Sequence, residues 1–159
     1  MKRAAIVTLA LCLVAAAPTG PRLQKPDFSV TFPAGFPTPE DQPDADSHQF
    51  ISTAHDVTCI VGYWDREHEQ EGESEGVLKV SIRGAAGDDP LTDVKSSLIS
   101  NCHRVTAMST GKDNVCRYAA VSQGRRIYLL IVQGPARDAV YTPAIDAFFD
   151  SFTLAKSCR

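Results

Sequence analysis

Residues 127–132 have the sequence Ile-Tyr-Leu-Leu-Ile-Val, an unbroken run of six apolar side chains. The run follows a turn signal, Ser122-Gln123-Gly124-Arg125. Successive side chains of a strand point to opposite faces of its sheet, so a strand that is apolar at every position is buried on both faces. The run therefore predicts a strand in a sheet that is covered on both sides.

Further strand patterns occur along the chain. Alternating or two-faced apolar patterns predict strands at 28–32, 57–64, 77–83, 105–109 and 115–121. In the 77–83 segment the alternation places Leu78, Val80 and Ile82 on the inward face. The polar residues 41–46 are expected to form a loop.

Two segments have the spacing of amphipathic helices. Asp89 and Pro90 form a helix-start signal, and the residues after it make one apolar stripe at Leu91, Val94, Leu98 and Ile99. Near the end of the chain Thr142 is a good N-cap and Pro143 suits the first helical position. The stripe of this second helix consists of Ile145, Phe148, Phe149 and Phe152.

Strands linked by short turns, together with two amphipathic helices, predict an α+β domain with a largely antiparallel sheet. The two-faced strands indicate helices on both sides of that sheet. A chain of 159 residues is sized for one domain of this kind. We expect a single domain over 28–159, preceded by a flexible proline-rich segment at 18–27.

The first 17 residues have the pattern of a cleavable export signal. Lys2 and Arg3 precede an apolar run at 4–14, which is shorter than the ~20 residues of a membrane-spanning helix. Small residues follow at 15–17, and a cut after Ala16 fits as well as one after Ala17. Leu11 before Cys12 argues against a lipoprotein signal. The sequence thus predicts an exported protein, periplasmic or extracellular, without a stable membrane anchor.

Four cysteines remain in the exported chain: Cys59, Cys102, Cys116 and Cys158. An even number in an oxidising compartment predicts two disulfides. The preferred pairing joins Cys102 to Cys116 and Cys59 to Cys158, and the other two pairings stay open. A structural zinc site is the alternative, although the chain contains no CxxC pair.

Charge excludes one class of partner. The formal net charge of −3 becomes −5 when Lys2 and Arg3 are removed with the signal, so the protein has no general attraction to nucleic acid. The segment from Asp65 to Glu75 contains six acidic residues. It lacks the spacing of a calcium loop, which leaves a solvated loop or an acidic patch for a basic partner as the alternatives to Ca²⁺ binding.

No catalytic motif is apparent. The chain has no GxSxG, HExxH or phosphate-binding loop, and nothing in the spacing pairs His48, His55, His68 or His103 with a nucleophile. No cofactor is indicated. The single tryptophan, Trp64, is expected to pack at a strand end, with contact to a partner or ligand as the alternative.

Four segments have a recognisable order: Phe28-Ser29-Val30-Thr31-Phe32-Pro33, Gly62-Tyr63-Trp64-Asp65, Gly124-Arg125-Arg126-Ile127-Tyr128-Leu129-Leu130 and Phe148-Phe149-Asp150-Ser151-Phe152. Together they resemble exported bacterial proteins of the PsbP-like group. The resemblance implies a three-layer α/β/α sandwich and a role in binding or assembly, and it transfers no functional residue. Fold alone does not define function.

These observations predict an exported, non-catalytic binding or accessory domain whose partner is a protein or an envelope component. Two alternatives remain: a small exported hydrolase with a site assembled from dispersed residues, and a small-ligand carrier with an apolar pocket near Trp64. The sequence indicates neither the identity of the ligand nor the oligomeric state.

Overall fold

The computed structural model of the protein describes residues 20–67 and 74–158. This part of the chain is mostly β-structure in two antiparallel sheets. The strands are β1 (Arg22–Gln24), β2 (Phe28–Thr31), β3 (Glu40–Pro43), β4 (Ser47–Ala54), β5 (Val57–Asp65), β6 (Leu91–Ile99), β7 (Cys102–Thr110), β8 (Val115–Gln123), β9 (Arg126–Gly134) and β10 (Thr153–Leu154). The helices are α1 (Ser74–Ala86), α2 (Arg137–Val140) and α3 (Pro143–Asp150).

The larger sheet has seven strands in the order β3-β4-β5-β9-β8-β7-β6. β9 lies inside this sheet, where Leu130 pairs with Val61 of β5 and with Ala119 of β8. The apolar run 127–132 is in β9, and all of it is buried except Ile131, which is half-buried. The predicted two-faced strand is therefore confirmed, as is the interior position of 57–64 in β5.

Alternate side chains of β9 enter two separate apolar clusters. Ile127 and Leu129 face α1, where they pack in one cluster with Leu78 and Ile82. Tyr128 and the next alternate residues face the opposite side, which holds the larger cluster. The sheet is thus the shared wall of two cores.

The three-stranded sheet β1-β2-β10 and helix α3 cover this second face. Phe28 from β2 lies with its ring centroid 5.4 Å from that of Tyr128 and 5.8 Å from that of Phe152. Phe32 and Phe148 are 5.2 Å apart by the same measure. Aromatic rings at these separations pack edge-on or tilted, and seven of the twenty buried residues of this cluster are aromatic.

The predicted three-layer α/β/α sandwich is wrong. The pairing is antiparallel as expected, but a small sheet and an eight-residue helix, α3, cover the face where a helix layer was predicted. Two-faced strands require an apolar cover, and the sequence pattern does not specify whether that cover is a helix or a second sheet. The protein is mainly β.

The 77–83 segment forms part of helix α1 and not the predicted strand. Leu78 and Ile82, four residues apart, are fully buried, whereas Val80 between them is 71% exposed. Alternation of apolar residues over so short a segment fits both periods, and only the outward position of Val80 separates them. The stop signal is Gly87, whose φ of +63° ends the helix.

The 91–99 segment is strand β6 and not the predicted helix. A β-bulge between Thr92 and Lys95, with Asp93 at a φ of +52°, inserts an extra residue into the strand. Because of the extra residue, Leu91 and Val94 are three positions apart in the sequence. Residues on one face of a helix have the same spacing. The bulge therefore explains the wrong assignment.

The final helix is confirmed. The hydroxyl of Thr142 accepts a hydrogen bond from the Ile145 amide at 3.2 Å, and Pro143 is the first helical residue. Phe148 and Phe149 of this helix are buried, and Phe152 is buried just beyond its end.

Two stretches predicted to be irregular contain short strands. Arg22–Gln24, within the 18–27 segment, is extended as expected, but it pairs with β2 as β1. Glu40–Pro43, which overlaps the predicted 41–46 loop, forms the edge strand β3. Residues 1–19 lie outside the described residues, so the predicted signal peptide at 1–17 does too.

Segments from the four-part resemblance meet at one end of β9. The Arg126 guanidinium donates to both carboxylate oxygens of Asp65, at 2.8 and 2.6 Å, and also to Asp27. The Tyr128 hydroxyl donates to the same Asp27 oxygen at 2.8 Å. This Asp27 network fastens the start of β2 to β5 and β9, so these residues have a structural role.

Candidate functional site: a basic cleft

A cleft of about 470 Å³ lies between the sheet face of β6–β8 and the α2–α3 segment. We call it the basic cleft. Four cations are among its lining residues: Lys95, Arg104, Arg117 and Arg137. Three carboxylates also line it: Asp93, Asp146 and Asp150. The cleft therefore has a net positive charge in a protein whose overall charge is negative.

Strand register brings the floor of the basic cleft together. Lys95 pairs with Thr106, and Arg117 pairs with Met108. Arg104, Thr106 and Met108 are alternate residues of β7, so their side chains point to one face, and paired residues share that face. Three strands thus contribute Lys95, Arg104 and Arg117 to the same surface.

Arg117 is held rigidly at the α2–α3 wall. Its guanidinium donates to the Val140 carbonyl and to a carboxylate oxygen of Asp146, both at 2.8 Å. It also lies 4.3 Å from the ring centroid of Tyr141 and 4.9 Å from that of Phe149. Hydrogen bonds and cation–π contacts together fix its position before any ligand arrives.

Arg137 forms the outer rim of the cleft. Its guanidinium lies 4.8 Å from the Tyr141 ring centroid, and one of its nitrogens is 3.7 Å from the Asp93 carboxylate. Asp93 is the bulge residue of β6, so the irregularity in the strand turns this carboxylate toward the rim. Both charges are well exposed, which makes the pair weak.

Arg104 is the unusual group of the cleft. It is half-buried on β7, and among the described residues no side chain forms a hydrogen bond or ion pair with it. Burial lowers the pKa of this guanidinium, the neighbouring Arg117 charge lowers it further, and Asp150 opposes both effects. Burial removes part of the water around the Arg104 guanidinium, and a charge-assisted hydrogen bond to an anionic group compensates for that loss.

The arrangement is suited to binding. Its volume is within the ~300–1,000 Å³ typical of small-molecule pockets. Arg104 and Lys95 offer charge-assisted hydrogen bonds to an anionic group, and the Asp150 carboxylate lies on the same surface as an acceptor. The hydroxyl groups among its lining residues belong to Thr106, Tyr118 and Tyr141.

Trp64 occupies the other face of the sheet. It is half-buried and packs against the α1-side cluster, as expected for a residue at a strand end. It also lines a hollow of about 190 Å³ together with Ile60, Leu129 and Ile131. The predicted apolar pocket beside Trp64 thus has a counterpart in the structure, smaller than a typical ligand pocket.

The cysteines do not pair as preferred. Cys102 is bonded to Cys158, with their Cα atoms 5.0 Å apart, and Cys59 and Cys116 are buried free thiols. Cys116 packs on the α1 side of the sheet and Cys102 on the opposite side, so the predicted Cys102–Cys116 bond is sterically excluded. Cys59 and Cys116 are likewise on opposite faces.

Burial raises the pKa of both free thiols. It raises the pKa of the Cys59 thiol to about 12, and burial is also the main cause of the raised pKa of Cys116. Both thiols therefore stay protonated at neutral pH and are unsuited to nucleophilic attack.

The described histidines do not assemble a hydrolase site. His48 stacks on Tyr63, and its Nδ1 lies 3.6 Å from the Asp41 carboxylate. The neighbouring Ser47 points to the other face of β4, because adjacent strand residues alternate. His55 is in an exposed turn and His103 is exposed on β7, whereas His68 lies outside the described residues.

The structure describes only the two ends of the acidic segment 65–75. Asp65 is bound by Arg126, and residues 68–73 lie outside the described residues. Within 20–67 and 74–158, no group of three or more metal-binding side chains is placed to hold an ion. A scan of the same residues finds no helix that is long and apolar enough to cross a membrane.

The basic cleft was not predicted from the sequence. Lys95 and Arg104 were hidden because 91–99 was assigned to a helix, which removes β6 from the sheet. The segment from Arg104 to Met108 indicates a strand with one polar face, because its polar or long side chains alternate with the smaller apolar Val105 and Ala107.

No protein-family model matches the sequence, and no curated protein matches it. The PsbP-like resemblance therefore remains a prediction that depends on four short segments.

Proposed function

We propose that the protein is an exported, non-catalytic binding domain whose basic cleft receives an anionic group of a protein or envelope partner. One observation supports this most strongly: Arg104 is half-buried without an anionic partner in the described structure, beside Lys95 and the fixed Arg117. Export is proposed from the signal-peptide pattern, and the Cys102–Cys158 disulfide is compatible with it.

Affinity for a set of anionic probes tests this function. The protein, expressed from its full-length chain and purified under oxidising conditions, is titrated calorimetrically with a deca-glutamate peptide and with phosphatidylglycerol vesicles. Phosphatidylcholine vesicles are the neutral control. We expect binding of at least one anionic probe, weakened by salt because the contact is electrostatic.

Matched variants localise the binding. Arg104→Gln and Lys95→Gln are expected to weaken it about tenfold each, the loss of one charge-assisted hydrogen bond. Lys112→Gln removes an exposed charge in the β7–β8 turn, outside the cleft, and is expected to leave affinity unchanged. If no anionic probe binds, or all three variants weaken binding equally, the cleft is not the binding site.

A small-ligand carrier is the second candidate, and the hollow beside Trp64 favours it. A hollow of about 190 Å³ suits only a small apolar molecule. Because Trp64 is the single tryptophan, its fluorescence reports directly on occupancy. A saturable change in Trp64 emission on addition of a short-chain fatty acid, lost in Ile60→Glu, would support this function; a change that does not saturate would exclude it.

A further inference from the structure

We propose that the partner of the basic cleft is an extended protein segment, which adds to the free edge of β6 as a further strand and alternates acidic with apolar side chains. This inference depends on the proposed function, because it uses the same cleft, and it goes further by defining the chemistry and conformation of the partner.

The β6 edge of the large sheet is open to pairing with another strand. β6 is the last strand of the seven-stranded sheet, and in the described structure its one paired neighbour is β7. Its residues from Thr92 to Leu98 are all exposed. Such an edge presents a row of backbone N–H and C=O groups that another extended chain can pair with.

The opposite edge of the sheet is protected. β3 has four residues, two of them acidic, and ends at Pro43, which has no N–H to donate. Short edges with charges and proline resist strand addition. β6 also carries two charges, Asp93 and Lys95, and a bulge, but it has no proline and its regular part, Lys95–Ile99, is longer than the whole of β3.

The two faces of β6 carry different side chains. Lys95 and Ser97 share a face with Thr106 and Arg104, which is the face of the basic cleft. Leu98 pairs with His103 on the α1 side, where Leu98 is 61% exposed. A strand laid along β6 therefore meets Lys95 on the cleft side, and on the α1 side it meets Leu98 next to the polar Ser96.

These two faces specify the partner sequence. Side chains of a strand alternate between faces, so every second residue of the added strand lies beside Lys95 on the cleft face and is expected to be acidic, with Arg104 on the next strand inward, opposite Ser97. The residues between them lie beside Leu98 and are expected to be apolar. The bulge between Thr92 and Lys95 ends the regular edge, which leaves Lys95–Ile99 for pairing.

The same charges disfavour a second copy of this chain as the occupant. In a β6–β6 pair, Lys95 of each copy would join the cationic face of the other. Like charges on neighbouring strands are destabilising. A lipid surface supplies negative charge but no row of backbone groups to match the edge.

A designed peptide tests the inference. The probe is a heptapeptide of alternating Glu and Val with fluorescein on its N-terminus and an amidated C-terminus, and binding is measured by fluorescence anisotropy. The first control has the same composition in block order, with four Glu followed by three Val. The second control has the alternating order with N-methyl groups on two consecutive central amides, which block both of its hydrogen-bonding edges.

We expect the alternating peptide to bind at least tenfold more tightly than either control peptide. Arg104→Gln and Leu98→Gln are each expected to weaken its binding, by about tenfold and a few-fold respectively. Val80→Gln is the matched control for Leu98→Gln, because Val80 is an apolar residue of comparable exposure, 71% against 61%, on the outer side of α1. Thermal melting of each variant verifies that it is folded.

Four results would overturn strand addition. Equal binding of the N-methylated peptide shows that the backbone does not pair, while the cleft still binds an anion. Binding of phosphatidylglycerol vesicles without the peptide assigns the cleft to a lipid surface. A concentration-dependent dimer that Leu98→Gln abolishes assigns the edge to a second copy. Failure of every anionic probe removes the proposed function as well.

Discussion

At the scale of single residues, Asp27 connects three strands. Burial alone would raise its pKa, but hydrogen bonds from Arg126 and Tyr128 outweigh burial and hold the pKa below its ordinary value. Arg126 also lowers the pKa of Asp65. A carboxyl whose pKa is lower in the folded protein than in the unfolded chain stabilises the fold above its unfolded pKa.

Acid is therefore expected to release this stabilisation. The contribution is present at neutral pH, begins to fall near the unfolded pKa of about 4, and disappears as the pH drops through the lower folded value. Thermal melting from pH 7 to pH 2 measures the effect. Asp27→Asn should flatten the acid side of the profile, whereas Asp46→Asn, in an exposed turn, should leave it unchanged. Parallel profiles for all three proteins would contradict the role of Asp27.

At the scale of elements, prediction from sequence succeeded where the pattern was long or bounded by clear signals. The six-residue run of β9 and the capped start of α3 at Thr142 were found at nearly their true bounds. Prediction failed for α1 and β6. The spacing of Leu78 and Ile82 fits both a strand and a helix, and the bulge in β6 gives Leu91 and Val94 the spacing of helical residues. β6 supplies Lys95 and the free edge. Because residues 91–99 were expected to form a helix, the candidate site was not predicted.

A substitution in α1 distinguishes the two assignments. Val80→Lys is expected to change the free energy of unfolding by less than about 0.5 kcal/mol, because Val80 is 71% exposed. Ile82→Ala should cost ~2–5 kcal/mol, since Ile82 is fully buried. Urea unfolding measures both. A large loss for Val80→Lys would restore the strand assignment, in which Val80 points inward.

At the scale of the whole molecule, one disulfide fastens the chain end to the sheet. Cys158 is bonded to Cys102 across 56 residues, and its amide donates to the Ser100 carbonyl at 3.0 Å. In the chain-entropy model a loop of this size contributes about 4 kcal/mol. The count of four cysteines predicted a disulfide framework, but only the placement of each cysteine on a sheet face determined the partners.

A peptide map without reduction is expected to contain one crosslinked pair, Cys102 with Cys158. Cys59 and Cys116 should react with a thiol reagent only after unfolding, because both are buried. Cys102→Ser should lower stability by about 4 kcal/mol, whereas Cys59→Ser leaves the crosslink intact. A Cys102–Cys116 peptide, or rapid thiol labelling of the folded protein, would contradict this arrangement.

Amide chemical-shift mapping of the ¹⁵N-labelled protein shows whether the basic cleft binds an anionic partner. The alternating Glu–Val peptide is titrated into the protein and into the Arg104→Gln variant. We expect the shifted amides to lie on β6–β8 and around α2–α3, with the shifts largely lost in the variant. Shifts centred on Trp64 and β4–β5, or shifts that persist unchanged without the Arg104 charge, would contradict binding in the basic cleft.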